Sequence, residues 1–188
     1  MTVFRHFGLD VDRDRFMDTY SPNWLESYRE LGVPESEWDR ANQIWLESYH
    51  LQSRTLFPSA ASDLIRLDGE GYRLGLVTSG SRDRVMTELR LHSLEALFAT
   101  VVCCEDTEKK KPDPEPLQVA LERVGANPEQ SIFVGDRPED ISMGKSVGTF
   151  TVGVVSHYGP RSILKNAGPD LLFDDTQEMV EHLTKEKK

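Results

Sequence analysis

A chain of 188 residues is long enough for one core domain with a smaller appendage, and 29% charged against 38% hydrophobic residues is the balance of a folded globular protein. No apolar run approaches the roughly 20 residues that cross a bilayer, and Met1 to Asp10 holds no basic segment followed by an apolar core, so neither a membrane span nor a secretory leader is expected. A formal net charge of -10 repels phosphodiester backbones and argues against nucleic acid as the main partner.

The first third is helical. Trp24, Tyr28 and Leu31 follow i, i+4, i+7 spacing before Gly32 and Pro34, and Trp38, Ala41, Trp45 and Tyr49 repeat nearly the same pattern. Two amphipathic helices joined by a Gly-Val-Pro turn are expected, with Ser36 or Glu35 as the cap of the second. Their aromatic stripe is read as the core of this small module. Residues 1–57 are expected to form it, and residues 58–188 a second region of different character.

From Leu56 onward strands alternate with helices. Pro58 opens a turn, and a short helix carries Ala61, Leu64 and Ile65 on one face. Tyr72 to Gly80 is a strand ending in Thr78-Ser79-Gly80, followed by a helix from about Arg82 to Leu94. Ala99 to Cys104 is the next strand, then Lys109-Lys-Lys-Pro and a helix bearing Leu117, Ala120, Leu121 and Val124. Ile132-Phe-Val-Gly reads as a buried parallel strand running into Asp136-Arg-Pro-Glu-Asp140 and a helix. A strand at 150–155, a short helix near Ile163, a strand at 171–173 and a terminal helix with Met179, Val180 and Leu183 complete the chain. This alternation predicts an α/β fold, a Rossmann-like parallel sheet with an N-terminal helical module. Cys103 and Cys104 are the only cysteines. As neighbours in extended chain they point to opposite faces, so they are expected to be free thiols of a reducing cytoplasm.

Three strand ends carry chemistry. Ligands bind at the carboxyl ends of strands in open α/β sheets. Thr78 and Ser79, with the amides of Ser79 and Gly80, offer donors to a phosphoryl oxygen. Lys111 can add a positive charge, and Asp136 and Asp140 suit a hard cation such as Mg2+. His50 and His92 lie in polar helical contexts and are read as facing solvent. His157 and Arg137 lie at the same sheet end, His157 either approaching substrate or, more often at such a place, an ordinary loop residue, Arg137 either steering an anion or pairing with a neighbouring acid.

Leu76-Val-Thr-Ser-Gly, Lys111-Pro-Asp-Pro-Glu-Pro and Val134-Gly-Asp-Arg-Pro-Glu-Asp-Ile resemble the second, third and fourth motifs of the haloacid dehalogenase-like hydrolases. The chain is similar to the phosphoglycolate phosphatase and beta-phosphoglucomutase branch, whose helical cap precedes the second motif. The resemblance implies a Mg2+-dependent phosphatase of small phosphorylated metabolites working through an aspartyl-phosphate. It implies that Thr78 binds phosphate, Lys111 neutralises nucleophile and phosphate, and Asp136 and Asp140 serve the metal.

One motif departs from the pattern. The family's first motif, an apolar strand ending in Asp-x-Asp, supplies the nucleophile. The Asp-x-Asp near the start, Asp10-Val-Asp12, follows Arg5, His6 and Gly8 and precedes Arg13-Asp-Arg, which is no buried strand. Asp10 is therefore read as a cap-loop residue, and the chain as beginning downstream of the first motif. By resemblance the missing strand belongs between the strand ending at Thr78 and the one ending at Asp136. Its absence predicts a chain that is inactive, and that is poorly stable or closes the gap by rearrangement or homodimerisation. A scaffold that binds without catalysis, a haloacid dehalogenase, and a receiver-type phosphoacceptor domain are the competing readings; the early helical module and the Gly-Asp spacing disfavour the last.

Overall fold

The computed structural model describes residues 2–21, 23–50, 55–156 and 160–185, so His157 lies outside the described residues, as do the side chains of Tyr49 and His50. The chain divides into two compact units, Met1–Thr55 and Leu56–Lys188.

The first unit is helical: α1 (Thr2–His6), α2 (Arg13–Asp18), α3 (Trp24–Glu30) and α4 (Trp38–His50). Its core gathers Val3, Phe4, Tyr28, Leu31, Ala41 and Ile44, with Trp24 and Trp38 packed against it. Burial pushes the Tyr28 hydroxyl up to about 12, which keeps it neutral in that core. Gly32 (φ +90) ends α3, and the Val33 amide returns to the Tyr28 carbonyl at 2.9 Å, satisfying an orphan carbonyl of the helix end. Two details differ from expectation. Trp45 is 40% exposed, because α4 turns Ala41 and Ile44 inward instead. Neither Glu35 nor Ser36 caps α4; Glu35–Glu37 is a 3-10 turn leading straight into it, after Pro34, whose side chain makes no capping bond.

The second unit contains α5 (Ala60–Gly69), β1 (Leu74–Val77), α6 (Arg82–Leu91), β2 (Phe98–Val102), α7 (Glu115–Val124), β3 (Ile132–Gly135), α8 (Pro138–Val147), β4 (Phe150–Val154), α9 (Arg161–Ala167), β5 (Leu171–Phe173) and α10 (Thr176–Lys185). All strand pairs are parallel, as βαβ connections require. The strands nevertheless form two sheets, β1-β2 and β3-β4-β5. No backbone ladder joins β1 to β3 among the described residues.

Side chains tie the two sheets together on both faces. On one face Val77 of β1 and Phe133 of β3 pack with Leu117 of α7 and Met143 of α8. On the other, Leu74 of β1 packs with Val152, Val154 and Phe173 beneath Leu67 of α5 and Met179 and Val180 of α10. The second face is incomplete beside β3. Ile132, Val134 and Phe150 are 36%, 40% and 43% exposed; the register Ile132↔Phe150 and Val134↔Val152 puts them on one face with the buried Val152. The expectation of a buried β3 is thus corrected: Phe133 is buried and the alternate positions are open.

Helix α5 differs as well. Asp63 and Leu67 are its buried residues, whereas Ile65 is 58% exposed. Asp63 tolerates burial because the hydroxyls of Ser59 and Thr176 donate to it at 2.7 and 2.6 Å, tying the start of α5 to the start of α10. Strand β2 ends at Val102, so Cys104 opens a 3-10 turn and does not continue the strand; both cysteines are free thiols.

Candidate active site

The candidate groups lie beyond the carboxyl ends of β1, β2 and β3, Lys111 in the loop before α7 and Asp140 in the first turn of α8. Beyond β1, the Thr78 amide donates to the Val102 carbonyl at 2.9 Å, which extends the β1-β2 pairing by one residue and fixes the turn that follows. The Gly80 amide donates to the Thr78 hydroxyl at 3.1 Å. Of the two amides expected to face a phosphoryl group, Gly80's is therefore already engaged, and Ser79's has no acceptor among the described residues. A side chain at Gly80 would overlap the Arg84 guanidinium, which lies against it. The Arg82 amide at the start of α6 is held by both oxygens of Glu105 at 3.0 Å.

The three lysines after β2 separate by function. Lys109 pairs with Asp113 at 3.4 Å on the surface. Lys110 donates to the carbonyls of Cys104 and Thr107 and closes the 3-10 turn. Lys111 alone reaches the strand ends: its Nζ donates to the Val77 carbonyl at 3.0 Å and to Asp140 Oδ1 at 2.8 Å. The Lys111 and Asp140 side chains are 15% and 8% exposed, so this is a buried ion pair. It joins the carboxyl ends of β1 and β3, the two strands that share no ladder. Its Nζ also lies 5.8 Å from the centre of the Phe133 ring.

Asp140 is placed by Gly135. A Cβ at position 135 would overlap the Asp140 side chain, so only glycine at the end of β3 lets this carboxylate fold back onto the strand. Asp140 Oδ2 accepts from the Arg137 amide at 3.2 Å, closing the loop into α8. Arg137 itself lies 3.5 Å from Glu139, the neighbouring-acid alternative of the sequence reading. Asp136 Oδ2 accepts from the Ser156 hydroxyl at 2.6 Å.

This donor set can hold a hard cation. Two carboxylates are enough for a magnesium ion that keeps several waters and takes further oxygens from a phosphate. No cluster of three or more His, Cys, Asp or Glu stands ready to cage a metal among the described residues. Asp10 occupies an exposed loop between α1 and α2, its carbonyl accepting from Arg15 at 2.9 Å, and Asp12 caps α2 through the Arg15 amide at 2.8 Å. Among the described residues no strand precedes them. Among the described residues Asp140 is the carboxylate that Lys111 holds.

Sequence reasoning missed Ser156, Gly135 and the cluster at Asp106. Ser156 continues the even-numbered face of β4 after Val152 and Val154, so a hydroxyl at the strand's carboxyl end was a readable signal. Asp106 accepts from Arg82, from Arg123 at 2.8 Å and from the Cys103 amide at 2.7 Å. Although burial pushes its carboxyl up, these donors outweigh that and hold it below the usual carboxylate range. The cluster fastens α6 and α7 to the end of β2.

The haloacid dehalogenase-like hydrolase family model matches residues 1–154. The pyrophosphatase PpaX of Bacillus pumilus is 35% identical over 183 residues, spanning 95% of this chain and 83% of that protein. PpaX of Bacillus velezensis is 36% identical over 135 residues, 72% of this chain but only 62% of its own length. In three dimensions the predicted phosphoglycolate phosphatase of Haemophilus somnus superposes with a TM-score of 0.83, over 96% of this chain and 87% of that one. At 21% identity this last likeness shows the fold alone.

Proposed function

The chain belongs to the haloacid dehalogenase-like hydrolases, whose family model covers residues 1–154, and from that membership we propose that it is built for Mg2+-dependent hydrolysis of a small phosphorylated metabolite. The observation that carries this reading is Lys111, whose buried ammonium links the Val77 carbonyl at the end of β1 to Asp140 beyond β3. A cation held at converging strand ends, beside a Ser79 amide that has no acceptor among the described residues and the Thr78 hydroxyl, supports a site for an anion.

In this reading the phosphoryl oxygens are received by Thr78, the Ser79 amide and Lys111. Asp136 and Asp140 would hold Mg2+, which when bound supplies positive charge to a phosphoryl oxygen. A carboxylate nucleophile attacks phosphorus and displaces the alcohol or phosphate leaving group, a second acid protonates the departing oxygen, and water then releases phosphate from the aspartyl-phosphate. The nucleophile is assigned to a parallel strand seated between β1 and β3, because that is where two strand edges lack a ladder and where Lys111 lies. Residues 1–57 act as the cap that selects the substrate, and residues 58–188 as the catalytic core. The two free thiols support a reducing, cytoplasmic setting; no helix of the described residues is long and apolar enough to cross a membrane.

The test is phosphate release from p-nitrophenyl phosphate and from inorganic pyrophosphate, with and without Mg2+. Pyrophosphate is chosen because the PpaX relatives bear the name pyrophosphatase. The chain alone is expected to show background rates, and the same chain carrying an upstream strand that ends in Asp-x-Asp to gain Mg2+-dependent turnover lost in Lys111→Met. Mg2+-dependent turnover by the chain alone that vanishes in Asp10→Asn would instead make Asp10 the nucleophile. No turnover in either form, with anion binding retained, would favour a non-catalytic scaffold.

A further inference from the structure

Ser156 lies outside every motif that singled out the site, yet its hydroxyl donates to Asp136 Oδ2 at 2.6 Å, the length of a hydrogen bond to an ionised carboxylate. The protein treats its two acids differently. Asp140 has both oxygens engaged, Oδ1 by Lys111 and Oδ2 by the Arg137 amide. Asp136 receives the Ser156 hydroxyl on Oδ2, and its Oδ1 takes no donor among the described residues. Both oxygens share one planar carboxylate, so fixing Oδ2 also fixes the direction of the Oδ1 lone pairs.

Strand β4 gives this hydrogen bond a rigid origin. Its ladder with β3 ends at the pair Gly135↔Gly153. It continues against β5 through Val154↔Phe173, and the Val155 amide donates to the Phe173 carbonyl at 3.0 Å. Ser156 is thus carried by the β5 side of the sheet, independently of the 136–140 loop that it holds. A supporting group on an adjacent regular element orients a ligand better than one on the ligand's own loop.

We infer that Ser156 is a positioning residue for the cation site: its hydroxyl pins the Asp136 carboxylate and leaves Oδ1 as the ligand oxygen. Asp136 would then offer the cation an oxygen that takes no donor among the described residues, whereas both oxygens of Asp140 are already engaged. This rests on the reading of Asp136 as a metal ligand.

The experiment is calorimetric titration of the full chain with Mg2+, alongside thermal melting without the metal, for the wild type, S156A, S156C, S156T and D136N. S156C fills nearly the same volume with a poor donor, which separates loss of the hydrogen bond from loss of packing. D136N is expected to abolish binding. S156A and S156C should each raise the Kd about tenfold, the lower end of what lost support of a metal ligand costs, while S156T, which keeps the hydroxyl, stays near the wild type and the metal-free melting temperatures coincide. If S156A and S156C bind like the wild type while D136N does not bind, or if S156T is as weak as S156A, the positioning role is wrong and the metal reading survives. If the wild type does not bind Mg2+, or D136N binds equally well, the metal reading and the positioning role fail together.

Discussion

Removing the Lys111 ammonium strands a carboxylate that is 8% exposed. Lys111→Met is therefore expected to cost about 3–5 kcal/mol, the loss seen when one partner of a buried pair is deleted, read as a lower urea midpoint at unchanged slope. Adding Asp140→Asn should recover most of it, because the stranded charge goes too. A single variant as stable as the wild type would show that solvent reaches Asp140 and that the pair contributes nothing. Gly135→Ala tests the same carboxylate from its other side: the new Cβ overlaps the Asp140 side chain, so about 1–3 kcal/mol of strain and weakened Mg2+ binding are expected together. Retained affinity would mean that Asp140 can leave the strand end freely. Residue chemistry was legible unevenly. The sequence order of motifs chose Lys111 from three adjacent lysines, since nothing in a run of three says which ammonium turns inward. The free thiols were legible from the adjacency of Cys103 and Cys104, which in extended chain point to opposite faces. Burial, followed by the Glu105 hydrogen bond, pushes the Cys104 thiol up to about 11, and burial also raises Cys103. Both are expected to resist iodoacetamide at pH 8 in the folded chain and to react in urea; rapid native labelling would contradict this.

Helices and strands were readable as elements, but not the sides on which they meet. Periodicity placed α5 and α4 correctly, yet Ile65 and Trp45 are exposed. An apolar face about 100° wide does not state which of its borders meets a neighbour. Asp63 lies buried on α5 because distant Thr176 donates to it, a partner that no local pattern announces. The β4–β5 pair offers a test at this scale. The Thr151 hydroxyl and amide both donate to Asp170 at 2.7 Å, and these bonds hold its carboxyl below the usual carboxylate range. A depressed folded pKa contributes stability that is fully present above the unfolded value of about 3.9 and is lost as pH falls through the folded value. Asp170→Asn should therefore lower stability at pH 7, by about 1 kcal/mol or less for so exposed a group, and flatten the dependence on pH below about 4. Urea midpoints at pH 7 and pH 3 decide it. Parallel acid limbs in variant and wild type would remove Asp170 from the account.

At the scale of the whole second unit, the open question is what lies between β1 and β3. The family resemblance places a strand there, and among the described residues β1 and β3 stand in separate sheets with no ladder between them. What the sequence could not convey is that side chains still hold the halves together on both faces, through Val77 with Phe133 and through Leu74 with Val152. Packing without a ladder has a specific consequence. Apart from the Val77 carbonyl, which Lys111 takes, backbone donors and acceptors on the facing edges of β1 and β3 have no ladder partner among the described residues, and Ile132, Val134 and Phe150 are exposed beside one of them. Amides of β1 and β3 should consequently exchange with solvent much faster than those of β4, which is paired on both sides. A strand of alternating apolar residues ending in Asp-x-Asp, joined upstream or supplied as a peptide, should slow exchange in β1 and β3 together and raise the melting temperature. Its terminal carboxylate should compete with Asp140 for Lys111, so the effect should shrink when that carboxylate is replaced by an amide. Equal protection of β1, β3 and β4 in the chain alone would mean the two edges are already covered, by a second copy or by other means. In that case the oligomeric state measured in solution would say which, and the gap would no longer be a site for a strand.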